Sequence, residues 1–461
     1  MYNPETLSLE TLVSLAKRRG FIFPSSDIYG GLAGFYDYGP LGSLLKRNIT
    51  DAWLDKFVHS RTDTYLVDAA IIMGSQPLTA SGHVDGFHDP LVEDIKTHKR
   101  YRADHLLEAE GIEHADSLSL EEMTEHIRAR GIMSPDGNEL GPVRQFNMMM
   151  QTRLGAAEDS SSISYLRPET AQGIFLNYKN IMDTMSPKIP FGVAQIGKAF
   201  RNEITPRDYI FRQREFEQME IEYFIHPDTW HEQFEYWKDE MLEWMESIGL
   251  DMNHIYPVEI DAESRAHYSD RTIDFEFTYP FGQKELYGLA YRTDYDLTHH
   301  AEHAKTKLQY TDPTTNETYI PHVIEPSMGL DRTILALLCS AYREDTVDGE
   351  ARVYLDLPAH IAPYSIAVSP LLKNKPELRT YAQKIFGKLK YAFGKVTWDD
   401  NGNIGKRYRR QDEIGTPYCV VIDFDTLEDD MVTIRDRNTT HQERISVDEL
   451  ESYFKDKLSS K

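Results

Sequence analysis

Four arginines, Arg201, Arg207, Arg212 and Arg214, fall within one short segment, with Glu203 two positions after the first and Phe216 just past the last. Guanidinium groups keep their charge, and their planar fork grips phosphate or carboxylate oxygens in pairs. On a chain of formal net charge −25, this cluster is a local demand for anions, most simply phosphates. The flanks say how it is held. An apolar run from Phe191 to Ile196 leads in, Pro206 marks the bend, and apolar residues resume at Phe216, Met219, Ile221 and Tyr223. The pattern predicts strand, basic loop, strand. A second concentration lies between Leu371 and Arg410, where eleven Lys or Arg face three Asp or Glu, a local net of +8 (eleven minus three). There Tyr408 stands between Arg407 and the pair Arg409-Arg410. A ring among donors suits splayed single-stranded bases, and the alternative is a solvated basic helix or loop.

The totals bound what these clusters belong to. A chain of 461 residues with 40% hydrophobic and 11% aromatic content holds two or three domains with real cores. Its acidity argues against indiscriminate coating of nucleic acid, while leaving room for specific RNA binding through locally gathered cations. No apolar run reaches the length of a membrane span, and the start, Met1-Tyr2-Asn3-Pro4-Glu5, carries no signal or presequence pattern. Cys339 and Cys419 stand far apart in apolar contexts, as buried thiols of a reducing compartment do; the cytoplasm is the expectation.

The elements follow from periodicity. Ser8 to Arg19 reads as a capped helix stopped by Gly20. A Gly-rich aromatic stretch, Tyr29 to Pro40, precedes a helix with Leu41, Leu44, Leu45, Ile49, Trp53 and Phe57 on one face. Residues 83–142 are polar and charged and read as an insertion, with a capping box from Ser119 to Glu122. Trp230, Phe234, Trp237, Met241 and Trp244 recur at spacings of four and three, as the core face of a helix does. Pro358 to Pro363 reads as a linker. Beyond it strands alternate with helices at Pro376–Phe393 and Val447–Leu458, the pattern of a small mixed-sheet α/β domain. The expected division is 1–82 with 143–357, the insertion 83–142, and 358–461.

Three segments in this order resemble the signature motifs of class II aminoacyl-tRNA synthetases: Gly34 to Trp53, the stretch around Phe200-Arg201-Asn202-Glu203, and Pro326-Ser327-Met328-Gly329-Leu330-Asp331-Arg332. Further stretches are similar to the homodimeric glycyl-tRNA synthetases: Ser81-Gly82-His83-Val84, Arg102-Ala103-Asp104-His105, Leu166 to Phe175, and Val323-Ile324-Glu325-Pro326-Ser327. Gly405 to Pro417 resembles the anticodon-binding domain of that subclass. The resemblance covers nearly the whole chain and is weakest between Leu106 and Asn138. It implies an α+β catalytic domain, an antiparallel sheet flanked by helices, followed by a mixed-sheet α/β anticodon-binding domain. It implies ATP-dependent joining of glycine to tRNA(Gly) through glycyl-adenylate, a homodimer, and no membrane.

By that resemblance Arg201 holds the α-phosphate and the attacking carboxylate, and Arg332 stacks on adenine and reaches the γ-phosphate; these are the expected catalytic pair. Asn202, Glu203, Arg212, Phe216 and Glu285 join them around ATP, with Glu203 on the adenine amino group and Phe216 on its face. Glu169, Glu325 and Ser327 receive the glycine ammonium, and Arg292 its carboxylate. Arg407, Tyr408, Arg409 and Arg410 meet the anticodon. Mg²⁺ is expected on the phosphates, with Glu285 and Glu325 as candidate ligands and a surface ion pair as the other reading of Glu285. For Arg207 and Arg214 a structural role stays open beside a functional one. Some members carry paired cysteines near the positions of Asp94–Lys99 and Ser134–Gly137. This chain has Asp94-Ile95-Lys96-Thr97-His98-Lys99 and Ser134-Pro135-Asp136-Gly137 there, so no zinc is expected. Two rival readings are a sister synthetase for serine, threonine or proline, and a non-catalytic nucleic-acid-binding relative. The second would have no reason to keep Arg201, Glu203, Phe216 and Arg332 together.

Overall fold

The structure, a computed structural model, describes residues 2–112, 115, 118–155 and 162–459. Helix α1 (Leu9–Arg19) begins where the Ser8 side chain accepts from the Thr11 amide and ends at Gly20 in the left-handed region, φ 78°. Helix α2 (Pro40–Leu54) places Pro40 at its first turn. Gly42 lies so close to the Phe21 carbonyl that a Cβ there would sit 1.8 Å from the oxygen. Only glycine lets this helix lie against the loop before it.

A seven-stranded sheet forms the centre. Its strands are β1 (Thr64–Leu66), β2 (Phe191–Phe200), β3 (Glu215–Ile225), β4 (Ile255–Glu259), β5 (Arg271–Tyr279), β6 (Gly282–Thr293) and β7 (His322–Gly329). The spatial order is β4-β5-β6-β7-β3-β2-β1. Every pairing is antiparallel except β2 with β1. Side chains alternate across the strands, so the sheet has two chemically distinct faces. Met219, Ile221, Phe275, Leu289, Ile324 and Met328 point into the main core. Helices α4 (Trp230–Ser247) and α6 (Leu330–Ala341) share that core. Phe234, Trp237, Met241 and Trp244 are all buried in it. The opposite face carries Gln218, Glu220, Glu222, Glu325 and Ser327, and α3 (Ala171–Met185) and α5 (Tyr295–Ala304) flank it. A buried sheet face made of carboxylates is costly unless a ligand or a tight network answers it.

The polar insertion has its own core of Val92, Ala103, Leu107, Met123, Ile127 and Val143. Ser119 and Glu122 form the capping box. Within the insertion Asp94 joins its own turn to the turn at Ser134 by hydrogen bonds. Its carboxylate accepts from Ser134 Oγ at 2.6 Å and Asn138 Nδ2 at 3.0 Å, and from the amides of Lys96 and Thr97.

The C-terminal sheet comprises β8 (Ile366–Pro370), β9 (Val396–Trp398), β10 (Tyr418–Ile422), β11 (Met431–Asp436) and β12 (Gln442–Ser446), ordered β9-β8-β10-β11-β12. The first three are parallel and the rest antiparallel. Helices α7 (Pro376–Phe393), α8 (Ile404–Glu413) and α9 (Leu450–Ser459) cover it. The segment read as a linker is docked: Ile361 and Ala362 are buried in the main core, and Asn48 Nδ2 donates to both their carbonyls. Asp412, at the end of α8, accepts two bonds from Arg435, at 2.8 and 3.0 Å, and meets Arg352 of the preceding hairpin at 3.5 Å. The two cores are thus joined by a buried ion network rather than a free tether.

Candidate active site

A cavity of about 440 Å³ opens on the polar face of the sheet. It brings together Arg201, Glu203, Arg212, Phe216, Glu285 and Arg332 at one end, and Glu169, Glu220, Glu325 and Ser327 at the other. The strand–loop–strand reading accounts for the first group: β2 ends at Phe200, β3 starts at its partner Glu215, and the basic loop spans between. Arg201 donates to the Pro168 carbonyl at 3.1 Å, and its guanidinium lies 5.3 Å from the ring centres of both Phe216 and Phe87. Glu203 is buried, and Arg212 approaches it at 3.9 Å. Arg214 resolves to a structural role, since its guanidinium holds the Glu203 and Ala33 carbonyls. Arg207 is exposed beside Asp208. Asn202 donates its backbone N–H to the Met148 carbonyl and is absent from the cavity lining.

Arg332, in the first turn of α6, lies 4.3 Å over the Phe211 ring and pairs with Glu285 at 3.1 Å. The Phe211 contact was not read from sequence. Asp331 beside it accepts from Tyr38 and from the Glu217 amide, which ties the turn before α2 to this helix. Asp274 faces the same end of the cavity. Burial first, then Glu285 and Glu276, push its pKa up to about 7. Arg332 holds Glu285 below its usual range.

The other end is a carboxylate nest. Glu220 was missed by the sequence reading, although it lies one pleat from Gln218 and two from Phe216. It accepts from Ser327 Oγ at 2.8 Å and from Thr170 Oγ1. Glu220, Glu222 and Glu325 each place an oxygen within 4.8 Å of the others, and all are buried. Neither oxygen of Glu222 has a hydrogen-bond partner among the described residues. Burial and then Glu325 push its pKa well above the usual carboxylate range. Burial also raises Glu325, to about 8, against the pull of Arg292. Glu169 ends below its usual range: burial raises it, but His83, Arg292 and Gln172 outweigh that.

The structure corrects two glycine-pocket and metal assignments. Arg292 is 1% exposed and lines no part of the cavity. Its Nε and one terminal nitrogen bind Asp296 at 2.8 and 3.0 Å, and the other binds Glu325 at 2.9 Å. It holds Glu325, whereas Arg201, Arg212, Arg265 and Arg332 are the cations that line the cavity. Glu325, bonded to Arg292 and buried, is no phosphate-side Mg²⁺ ligand. Glu285, half exposed beside Asp274, has the donor set that a divalent cation takes.

The anticodon group is also revised. Arg407 is 2% exposed, with its guanidinium on the Pro370, Asp400 and Gly402 carbonyls, so it holds loops together. Tyr408 lies under the Arg435 guanidinium at 4.7 Å, and Arg410 pairs with Asp399. Arg409 keeps a loose contact with Glu350 at 3.8 Å. Exposed cations follow the carboxyl ends of β8 and β9 at Lys373, Lys375, Arg379 and Lys406, and others of this domain, Lys384, Lys390, Lys455 and Lys457, lie on α7 and α9.

Residues 156–341 match the tRNA synthetase class II core domain (G, H, P, S and T), and residues 365–457 match an anticodon binding domain. The fold and the site thus define a class II aminoacyl-tRNA synthetase. Glycine–tRNA ligases of Acetivibrio thermocellus and Ruminiclostridium cellulolyticum are 50% and 49% identical, each alignment covering 98% of this chain and 98% of the relative. That of Staphylococcus epidermidis is 48% identical over 98% of this chain and 99% of its own. The chain belongs to the glycine–tRNA ligase family. A solved prolyl-tRNA synthetase of Cryptosporidium parvum, complexed with halofuginone and AMPPNP, shares the fold. It superposes with a TM-score of 0.66 at 12% identity, covering 99% of this chain and 77% of that one. Among the described residues no helix is long and apolar enough to cross a membrane.

Proposed function

We propose that this enzyme joins glycine to tRNA(Gly) in two steps. The glycine carboxylate attacks the α-phosphorus of ATP, and the bond to pyrophosphate breaks. The terminal ribose hydroxyl of the tRNA then attacks the activated carbonyl and AMP leaves. The observation that carries the reading is the cavity's polarity: an under-compensated carboxylate nest at one end and Arg201, Arg212 and Arg332 at the other. Glycine offers an ammonium and a carboxylate and nothing else, and this arrangement answers both.

Glu169, Glu220, Glu325 and Ser327 receive the ammonium. Arg201 faces the reacting carboxylate and α-phosphate, where charge builds in the transition state. Phe216 supports adenine and Glu203 accepts its amino group. Arg332, carried on Phe211, reaches the outer phosphates. Mg²⁺ offsets phosphate charge in such reactions, and Glu285 with Asp274 would hold it here. The C-terminal domain binds the anticodon through Arg409 and through the cations Lys373, Lys375 and Lys406, at the carboxyl ends of parallel strands where α/β sheets take their ligands. The enzyme works as a homodimer in the cytoplasm, which suits its two free, buried cysteines. Amino-acid-dependent ATP–pyrophosphate exchange tests the reading, with glycine, alanine, serine, threonine and proline side by side. Exchange with glycine alone is expected; exchange with another amino acid, or none, refutes it.

A further inference from the structure

We propose that Gln172 is the positioning residue of the ammonium pocket and that His300 acts through it. Gln172, in the first turn of α3, is fully buried. Its amide nitrogen donates to Glu169 Oε1 at 3.1 Å and to Asp296 Oδ1 at 3.0 Å, and its oxygen accepts from His300 Nε2 at 2.8 Å. Both amide hydrogens therefore end on carboxylates.

The amide could be reversed only if its oxygen turned toward two carboxylates. The two carboxylates thus set the direction of the amide and leave its oxygen to His300. That ring is buried, burial lowers its pKa against the opposing pull of Asp296, and the tautomer with its proton on Nε2 is the one that answers the Gln172 oxygen.

That amide then sets two walls of the pocket. Directly, it binds one oxygen of Glu169, whose other oxygen faces His83 at 3.5 Å. Through Asp296 it holds Arg292, and Arg292 holds Glu325. Glu169 precedes a helix and Glu325 lies on a strand, so Gln172 spans the two elements that must agree for an ammonium to be received. None of its bonds reaches Arg201, Glu203, Phe216 or Arg332. This inference rests on the glycine reading of the pocket.

The test is pyrophosphate exchange on the full-length protein with Gln172→Met, His300→Leu and His300→Gln, and with the first two combined. Wild-type exchange with glycine comes first, and its absence would refute the function reading rather than this one. With it present, Gln172→Met and His300→Leu should each raise the glycine KM by about tenfold or more while leaving the ATP KM within about twofold. His300→Gln, which keeps a donor, should recover most of the loss. His300→Leu should add nothing in the Gln172→Met background, because its effect passes through the amide. An unchanged glycine KM, equal rises for ATP and glycine, or additive losses would overturn the proposal. If Gln172→Met does not fold, the His300 pair still decides it by the same split of KM values.

Discussion

Raising the pH from about 6.5 to about 8 should tighten glycine binding about fifteenfold, because the ligand-free pocket holds a proton that the ammonium displaces. The proton is assigned to Glu325. It is buried, it faces Glu169, Glu220 and Glu222, and its one cationic partner, Arg292, is shared with Asp296. Burial pushes it up to about 8 from a reference of 4.5. At about pH 6.5 roughly 3% of such a group is ionised, and at about pH 8 roughly half, which gives the factor. The sign also fixes a stability effect. A carboxyl raised on folding contributes stability that is fully present below the unfolded value and is lost as pH rises through the folded one. The ligand-free enzyme should therefore lose stability between about pH 4.5 and about pH 8 on this account, and saturating glycine should recover it. The assay is kcat/KM for glycine in pyrophosphate exchange across the range, with the ATP KM followed in parallel to remove nucleotide titration. Calorimetry in buffers of different ionisation enthalpy should show net proton release on glycine binding at neutral pH. A flat profile with no proton release would mean that the nest is already ionised without its ligand, and the charge argument for the pocket would be wrong.

Arg201→Ala should lower exchange by about a hundredfold to a thousandfold, since it removes a donor aimed at charge that grows in the transition state; a loss confined to KM would contradict that role. Asp274→Asn should flatten the fall in ligand-free stability as pH rises from about 3.8 through about 7, read as the thermal midpoint against pH, because Asp274 has its pKa raised to about 7. Neutralising Lys373, Lys375 and Lys406 together should raise the KM for tRNA severalfold and spare exchange, with a shallower salt dependence, whereas Arg407→Met should lower the melting temperature first. Asp94→Ala should loosen the insertion, seen as faster hydrogen exchange across residues 92–101 and 134–140, and chelators should leave the parent protein unchanged.

The strands around the basic loop, the core helix with its tryptophans and the two-domain division could be read because each is a local pattern. Apolar periodicity names an element, and Ser8, Ser119 and Gly20 mark ends. Arg201, Glu203 and Phe216 could be grouped for the same reason: they are concentrated in one segment, and all three line the one cavity. Glu220 and Glu222 were not, although they continue that very strand. In sequence they look like the outward, solvated positions of an alternating strand. They become a site because β7 lays Glu325 and Ser327 beside them and α3 closes the face, and strand register is a long-range fact that the pattern of one strand does not contain.

Arginine shows the same limit from the other side. Arg201, Arg292 and Arg407 are each a guanidinium beside residues that suit a ligand, and residue type alone cannot separate them. What separates them is how many of their donors the fold already uses. Arg407 has three backbone carbonyls around it and Arg292 has two carboxylates, so neither has a face for a ligand. Among the described residues the Arg201 guanidinium makes one bond, to the Pro168 carbonyl, and it lies 5.3 Å from each of two aromatic rings and lines the cavity. One part of this was open to the sequence: Asp296 stands only four residues after Arg292, near enough across the turn between β6 and α5 to pair with it.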